Sequence, residues 1–231
     1  VLGESLAAVY ATGSIGFGDY DARRSDIDLM AVVERPLDGP EMDRLKLGLA
    51  HDALPCPAKG MDLILIARSE VESPSDPPTL EYSMATGHSW RLESERGAAY
   101  PELWLHFAIC RAHGIGLLGP TPSDLIAPVA EPIVRRELAR VLTWQMANLL
   151  DPYHDPEGTN SVLNGCRAWC LAETGVPCSK SQGGRWVLES KGDRALVRGA
   201  LARKCGASVT EPTPAAAEIR AFLVEVLAHL A

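Results

Sequence analysis

Gly13-Ser14-Ile15-Gly16-Phe17-Gly18, then Ser25-Asp26-Ile27-Asp28-Leu29-Met30-Ala31-Val32-Val33, is the stretch on which the fold turns. It reads as a glycine-rich turn followed by an apolar strand, Ile27 to Val33, with two acids at its mouth. Residues of a strand alternate faces, so Asp26 and Asp28 project to one side, about 7 Å apart along the chain. Adjacent carboxylates repel each other unless a cation lies between them. Mg2+ suits such a pair, because it commonly takes one or two carboxylates together with substrate phosphates. The competing reading is an exposed edge strand with two solvated acids, yet Ile27, Leu29, Met30, Ala31, Val32 and Val33 look central and buried. Glycines in the preceding turn admit close approach of a ligand, and N–H groups with a Ser hydroxyl can hold phosphate oxygens. Glycine-rich hairpin turns are common, so the turn gains meaning only beside the acids.

Outward from this stretch, Leu6 to Ala11 is a strand that ends in the turn, Pro40 to Ala53 has helical spacing, and Met61 to Ala67 is a third strand. The β-α-β order predicts a small mixed sheet with helices against it. Asp62 near the start of the third strand is a third carboxylate: a metal ligand, a general base, or an acid capping a strand end. Residues 68–79, rich in Ser, Pro and Glu, read as an exposed loop. From Tyr100 onward the pattern is helical. Pro101 to His113 is apolar almost all round and stops at Gly114; Ile133 to Leu150 follows. Asn160 reads as the N-cap of a helix to Glu173, closed by Thr174-Gly175. Arg194 to Lys204 and Ala215 to Leu230 complete the series, the last with Thr213 as its cap and Pro214 at its first position. Pro128 and Pro132 mark a boundary. The expectation is an α+β chain with an α/β domain over 1–128 and a helical domain over 129–231.

With 231 residues, 46% of them hydrophobic, the chain can bury a core. Its net charge of −8 lacks the basic signature of a nucleic-acid binder and suits cationic substrates and divalent metals. No apolar run approaches the roughly 18 to 20 residues of a membrane span, and no signal peptide is evident. The six cysteines include no Cys-x-x-Cys pair. Cys166 and Cys170 fall on one helix face and are expected as buried thiols in a reducing cytoplasm.

Gly13-Ser14, Asp26-Ile27-Asp28 and Asp62 together resemble the DNA polymerase beta-like nucleotidyltransferase superfamily. The likeness narrows with Tyr10-Ala11-Thr12-Gly13-Ser14, with Arg111-Ala112-His113-Gly114 running into Leu117-Leu118-Gly119-Pro120, and with Arg167-Ala168-Trp169 followed by Thr174-Gly175 and Lys180. These are similar to the aminoglycoside adenylyltransferases that modify streptomycin and spectinomycin, over nearly the whole chain from about Ala7 to beyond Trp186. The resemblance implies a polymerase-beta-like domain followed by a helical domain, with the active site in the cleft between. It implies that Gly13, Ser14 and Ser25 hold the triphosphate and that Asp26 and Asp28 bind Mg2+, with Asp62 as general base or third ligand. Arg167 and Lys180 would bind the nucleotide phosphates, and Trp90 and Glu157 would face the drug. ATP and a small cationic substrate are the expected partners, with no nucleic acid, no membrane and no second subunit.

Two departures stand out. The family's presumed base is usually Glu, whereas Asp62 is one methylene shorter. The dual-specificity members carry a Trp and an Asp for streptomycin where this chain has Asn148 and Tyr153. Spectinomycin is therefore favoured over streptomycin. Transfer to another small alcohol or to a protein, and a non-catalytic nucleotide-binding module, are the competing functions.

Overall fold

The computed structural model describes residues 2–49, 53, 56, 58–86, 91–94, 100, 102–152, 155–207 and 212–230. The chain divides into two compact units, Val1–Val129 and Ala130–Ala231.

In the first unit the described strands are β1 (Leu6–Ala11), β2 (Ile27–Val33), β3 (Met61–Ala67), β4 (Tyr82–Thr86), β5 (Arg91–Ser94) and β6 (Ile115–Leu118). They form one mixed sheet in the order β5-β4-β3-β2-β1-β6. β2 and β3 are parallel and every other neighbouring pair is antiparallel. A parallel pair needs a crossover; between β2 and β3 runs α2 (Gly39–Gly48), after the short α1 (Gly13–Gly16) that precedes β2. α2 starts at a capping box: the Asp38 carboxylate accepts from Glu41 N–H at 2.8 Å, and Glu41 accepts from Asp38 N–H at 2.9 Å.

Alternation explains how the sheet is buried. Ala31, Val33, Met61, Leu63, Leu65, Tyr82 and Met84 pack with Leu37 and Leu45 on the α2 side. Met30, Val32, Ile64 and Ile66, also buried, face the other way. Asp28 and Asp62 belong to this second set, at the open end of their strands.

The rest of the first unit corrects the sequence reading in two places. Arg68–Glu72 is a short helix, α3, rather than part of a loop. Val71 is its buried residue, and Arg68 pairs with Glu72 at 2.8 Å and with Glu34 at 2.9 Å. After α4 (Leu103–His113), which buries Leu103, Trp104, Phe107 and Cys110, the chain is not helical but extends as β6 along β1. α5 (Pro122–Leu125) follows.

The described residues of the second unit form α6 (Glu131–Ala147), α7 (Thr159–Thr174), α8 (Lys180–Ser190), α9 (Ala195–Cys205) and α10 (Ala216–Ala228). α7 is central, and Val162, Leu163, Cys166, Ala168 and Trp169 join Leu142, Val187, Val197, Phe222, Leu223 and Val226 in the core. Trp169 satisfies its indole N–H on Glu173 at 2.9 Å. Cys166, Cys170 and Cys178 are buried free thiols. Among the described residues no helix is long and apolar enough to cross a membrane.

Two expected caps are corrected here. Asn160 is not the cap of α7: Asp155 reaches forward, and its two oxygens accept from Asn160 N–H at 2.9 Å and Ser161 N–H at 2.7 Å. Thr213 does not cap α10, whose N-cap is Ala215 with its N–H held by Glu218 at 2.8 Å. Lys180 opens α8, behind a capping box of Ser179 and Gln182.

Candidate active site

The acids at the mouth of β2 meet the turn after β1. Antiparallel pairing continues one step beyond Ala11↔Leu29, with Thr12 N–H donating to the Asp28 carbonyl at 3.0 Å. Gly13 therefore lies over Asp28 with φ +55°, and a Cβ on Gly13 would fall 1.9 Å from Asp28 Oδ2. Only glycine fits, both for its backbone conformation and for that approach. In the next position Ser14 Oγ is buried and finds no hydrogen-bond partner among the described residues. A buried hydroxyl without a partner is costly, and a phosphate oxygen would satisfy it.

Parallel pairing places Asp28 directly beside Asp62, on strands spaced about 4.8 Å apart. Asp26 lies one residue before β2, close enough for its charge to act on Asp62. Burial, then the charges of Asp28 and Asp26, push the Asp62 carboxyl up to about 7, with Lys59 opposing. Three carboxylates crowded in this way suit a cation. Among the described residues, however, no three His, Cys, Asp or Glu side chains converge as a ready-made metal cage. The donor set fits Mg2+ rather than a fully protein-ligated metal, since Mg2+ leaves room for waters and phosphates.

Ser25 is used by the loop in front of β2. Its Oγ accepts the Asp21 N–H at 3.1 Å, and its own N–H donates to the Asp21 carbonyl at 2.7 Å. The loop also carries Arg23 and Arg24, which the motif reading passed over. Tyr100 was missed as well. Its hydroxyl is pushed up to about 12 by burial, then by Glu102 and Asp62, so it lies near the acids. A lone aromatic after Gly97-Ala98-Ala99 gives no sequence signal of that proximity.

In the second unit α8, which begins at Lys180, packs on α7, which carries Asn160 and Arg167. A Cβ on Gly183 would come within 2.9 Å of the Arg167 backbone nitrogen, so this glycine permits the approach. Arg167 Nε donates to the Cys178 carbonyl at 2.9 Å, and Lys180 Nζ donates to Asn160 Oδ1 at 2.7 Å. Asn160 and Arg167 are seven residues apart, two turns along one face of α7. Glu157 is exposed just before that helix. Trp90 and Tyr153 lie outside the described residues.

Residues 128–229 match the family described as aminoglycoside adenylyltransferase, C-terminal domain. No curated protein matches the chain. Among solved structures the chain is similar to the spectinomycin adenyltransferase of Enterococcus faecialis determined with ATP and spectinomycin. The TM-score is 0.69 at 18% identity, over 99% of this chain and 93% of that one. At this identity the likeness speaks for the fold, an α/β sheet unit followed by a helical unit. Residues 128–229, the helical part of the chain, thus match the C-terminal domain of the aminoglycoside adenylyltransferase family.

Proposed function

We propose that this protein transfers AMP from ATP to a hydroxyl of a cationic aminoglycoside-type antibiotic, with spectinomycin preferred to streptomycin. The observation that carries the reading is the cluster in which Asp28, beneath Gly13 and beside the buried Ser14 hydroxyl, stands in register with Asp62. Asp26 and Asp28 would hold Mg2+, with Asp62 as a further donor, and the chemistry so supplied would be charge neutralisation and Lewis-acid polarisation at the phosphates. Ser14 donates its hydroxyl to the triphosphate. Asp62, in register beside Asp28, accepts the proton of the attacking hydroxyl. Arg167 and Lys180 bind the nucleotide phosphates, a task for which guanidinium and ammonium groups are suited. Glu157 and the net charge of −8 favour a cationic acceptor. All six cysteines are free thiols, which supports a reducing, cytoplasmic setting.

Pyrophosphate release from ATP by the full chain, with a panel of hydroxyl-bearing aminoglycosides in Mg2+ and in EDTA, tests the reading. Release with spectinomycin, weaker release with streptomycin and none in EDTA are expected. Silence with every antibiotic defeats the assignment of substrate.

Gly13→Ala probes the cradle. Its methyl group would collide with the Asp28 carboxylate, and displacement of a reacting group by an ångström can cost about 100-fold. We expect kcat/KM to fall by about that factor while the circular dichroism spectrum stays that of the parent. Full activity in the Gly13→Ala enzyme would show that Asp28 is not held by this contact.

A further inference from the structure

We infer that the turn at residues 21–25 is a second polyphosphate-binding element, in which Arg24, with Arg23 beside it, takes the β- and γ-phosphates and holds the departing pyrophosphate. The inference rests on the nucleotidyltransferase reading above and adds to it the site of the leaving group.

The turn is closed by its own hydrogen bonds, and the segment leading into it is tied to the phosphate cradle. Asp19 N–H donates to the Ser14 carbonyl at 2.9 Å, and Arg24 N–H and Ser25 N–H both donate to the Asp21 carbonyl, at 2.9 and 2.7 Å. Asp21 N–H returns to Ser25 Oγ at 3.1 Å, and Arg23 N–H to Asp21 Oδ1 at 3.0 Å. The Ser25 hydroxyl oxygen thus braces the turn, leaving its proton available for donation. Arg24 is two residues from Asp26, so their Cα atoms are at most about 7 Å apart. A phosphate chain held at Asp26 and Asp28 is within reach of that side chain.

The two guanidinium groups rest loosely on Asp21. Arg23 Nε is 3.4 Å and Arg24 Nε 3.8 Å from its carboxylate, and the arginine side chains are 83% and 39% exposed. Exposed pairs of this kind contribute little, so a phosphate can compete with Asp21 for these guanidinium groups. A phosphate offers a guanidinium a bidentate, charge-assisted contact that a carboxylate contact at these distances does not. The need for positive charge is local: Asp26, Asp28 and Asp62 are three carboxylates facing a polyanion.

The chemistry sets when this charge matters most. The acceptor oxygen bonds to the α-phosphorus, the bond from that phosphorus to the bridging oxygen breaks, and the electron pair leaves on pyrophosphate while the hydroxyl proton passes to Asp62. Negative charge grows on the part of the nucleotide that Arg24 faces.

Calorimetric titration of the full chain in Mg2+ with ATP, inorganic pyrophosphate and AMP tests this, using wild type, Arg24→Ala, Arg24→Lys and the Arg23→Ala/Arg24→Ala double variant. Arg24→Ala should weaken ATP and pyrophosphate about tenfold or more and leave AMP unchanged, with Arg24→Lys recovering part of the loss. In turnover the KM for ATP should rise while that for the acceptor stays the same. Wild-type binding of pyrophosphate by the double variant overturns the inference, as does equal weakening of AMP, which would make the turn a mere support. Failure of the wild-type protein to bind ATP at all would instead overturn the nucleotidyltransferase reading on which the inference rests.

Discussion

Replacing Asp28 with Ala will reduce turnover by about 1,000-fold or more and leave the protein folded. Loss of a group that orients the metal and phosphates removes several kcal/mol of transition-state stabilisation, and each 1.36 kcal/mol is a factor of ten in rate. The fold survives because the Asp28 side chain lies at the open end of β2, whereas the strand is held by Met30, Val32 and Val33, all of them buried. The substitution also removes one of the two negative charges that raise the Asp62 carboxyl. The thermal midpoint of the metal-free protein should therefore hold or rise. Initial-rate pyrophosphate release and a thermal melt on the same preparation check both halves. Wild-type turnover in the Asp28→Ala enzyme would remove Asp28 from the mechanism.

Asp62→Asn should separate chemistry from binding. Removal of a general base typically costs 10²- to 10⁴-fold; ATP binding, measured by titration, should persist. Loss of both would point to a ligand role for Asp62. Stability should move in the opposite direction to activity. The folded-state carboxyl titrates near 7, above the ordinary 3.8. A raised carboxyl contributes stability that is fully present below about pH 4 and is lost as pH rises through 7, because the folded state is then forced to ionise a group it holds more tightly protonated. In EDTA the wild-type protein should thus lose stability between pH 4 and 7, and Asp62→Asn should not. Asp62 is only partly buried, so solvent screening reduces the effect to roughly 2 kcal/mol. At about 2–4 °C per kcal/mol for a chain of this size, the Asp62→Asn variant should melt several degrees higher than wild type at pH 8 and level with it at pH 4. Melts whose pH dependence does not differ between the two proteins would show that Asp62 is not strained by its neighbours.

The sequence alone determined the three central strands. Leu6–Ala11, Ile27–Val33 and Met61–Ala67 are continuous apolar runs bounded by turn residues, and a strand buried on both faces needs no other signal. The same stretch led to the expectation that Asp26 and Asp28 share a face, from a period of two; β2 itself begins at Ile27, one residue after Asp26. Tertiary structure decided what each acid meets. Whether Asp62 stands beside Asp28 depends on the register of two strands separated by a crossover, and the contact of Gly13 with the Asp28 carboxylate depends on the antiparallel register of β1. Neither is encoded by local spacing. β4, β5 and β6 escaped the sequence reading for the same reason: strands of four or five residues carry too little periodicity, and their hydrogen bonds come from neighbours distant in the chain. In the helical unit the α7 stripe was legible from its 3.6-residue period, but its cap was not. Asp155 closes α7 through a loop that begins before the helix, and Lys180 gained its hold on Asn160 only when Gly183 let α8 settle against Arg167. Local preference chose the elements; long-range packing chose which charged groups face one another.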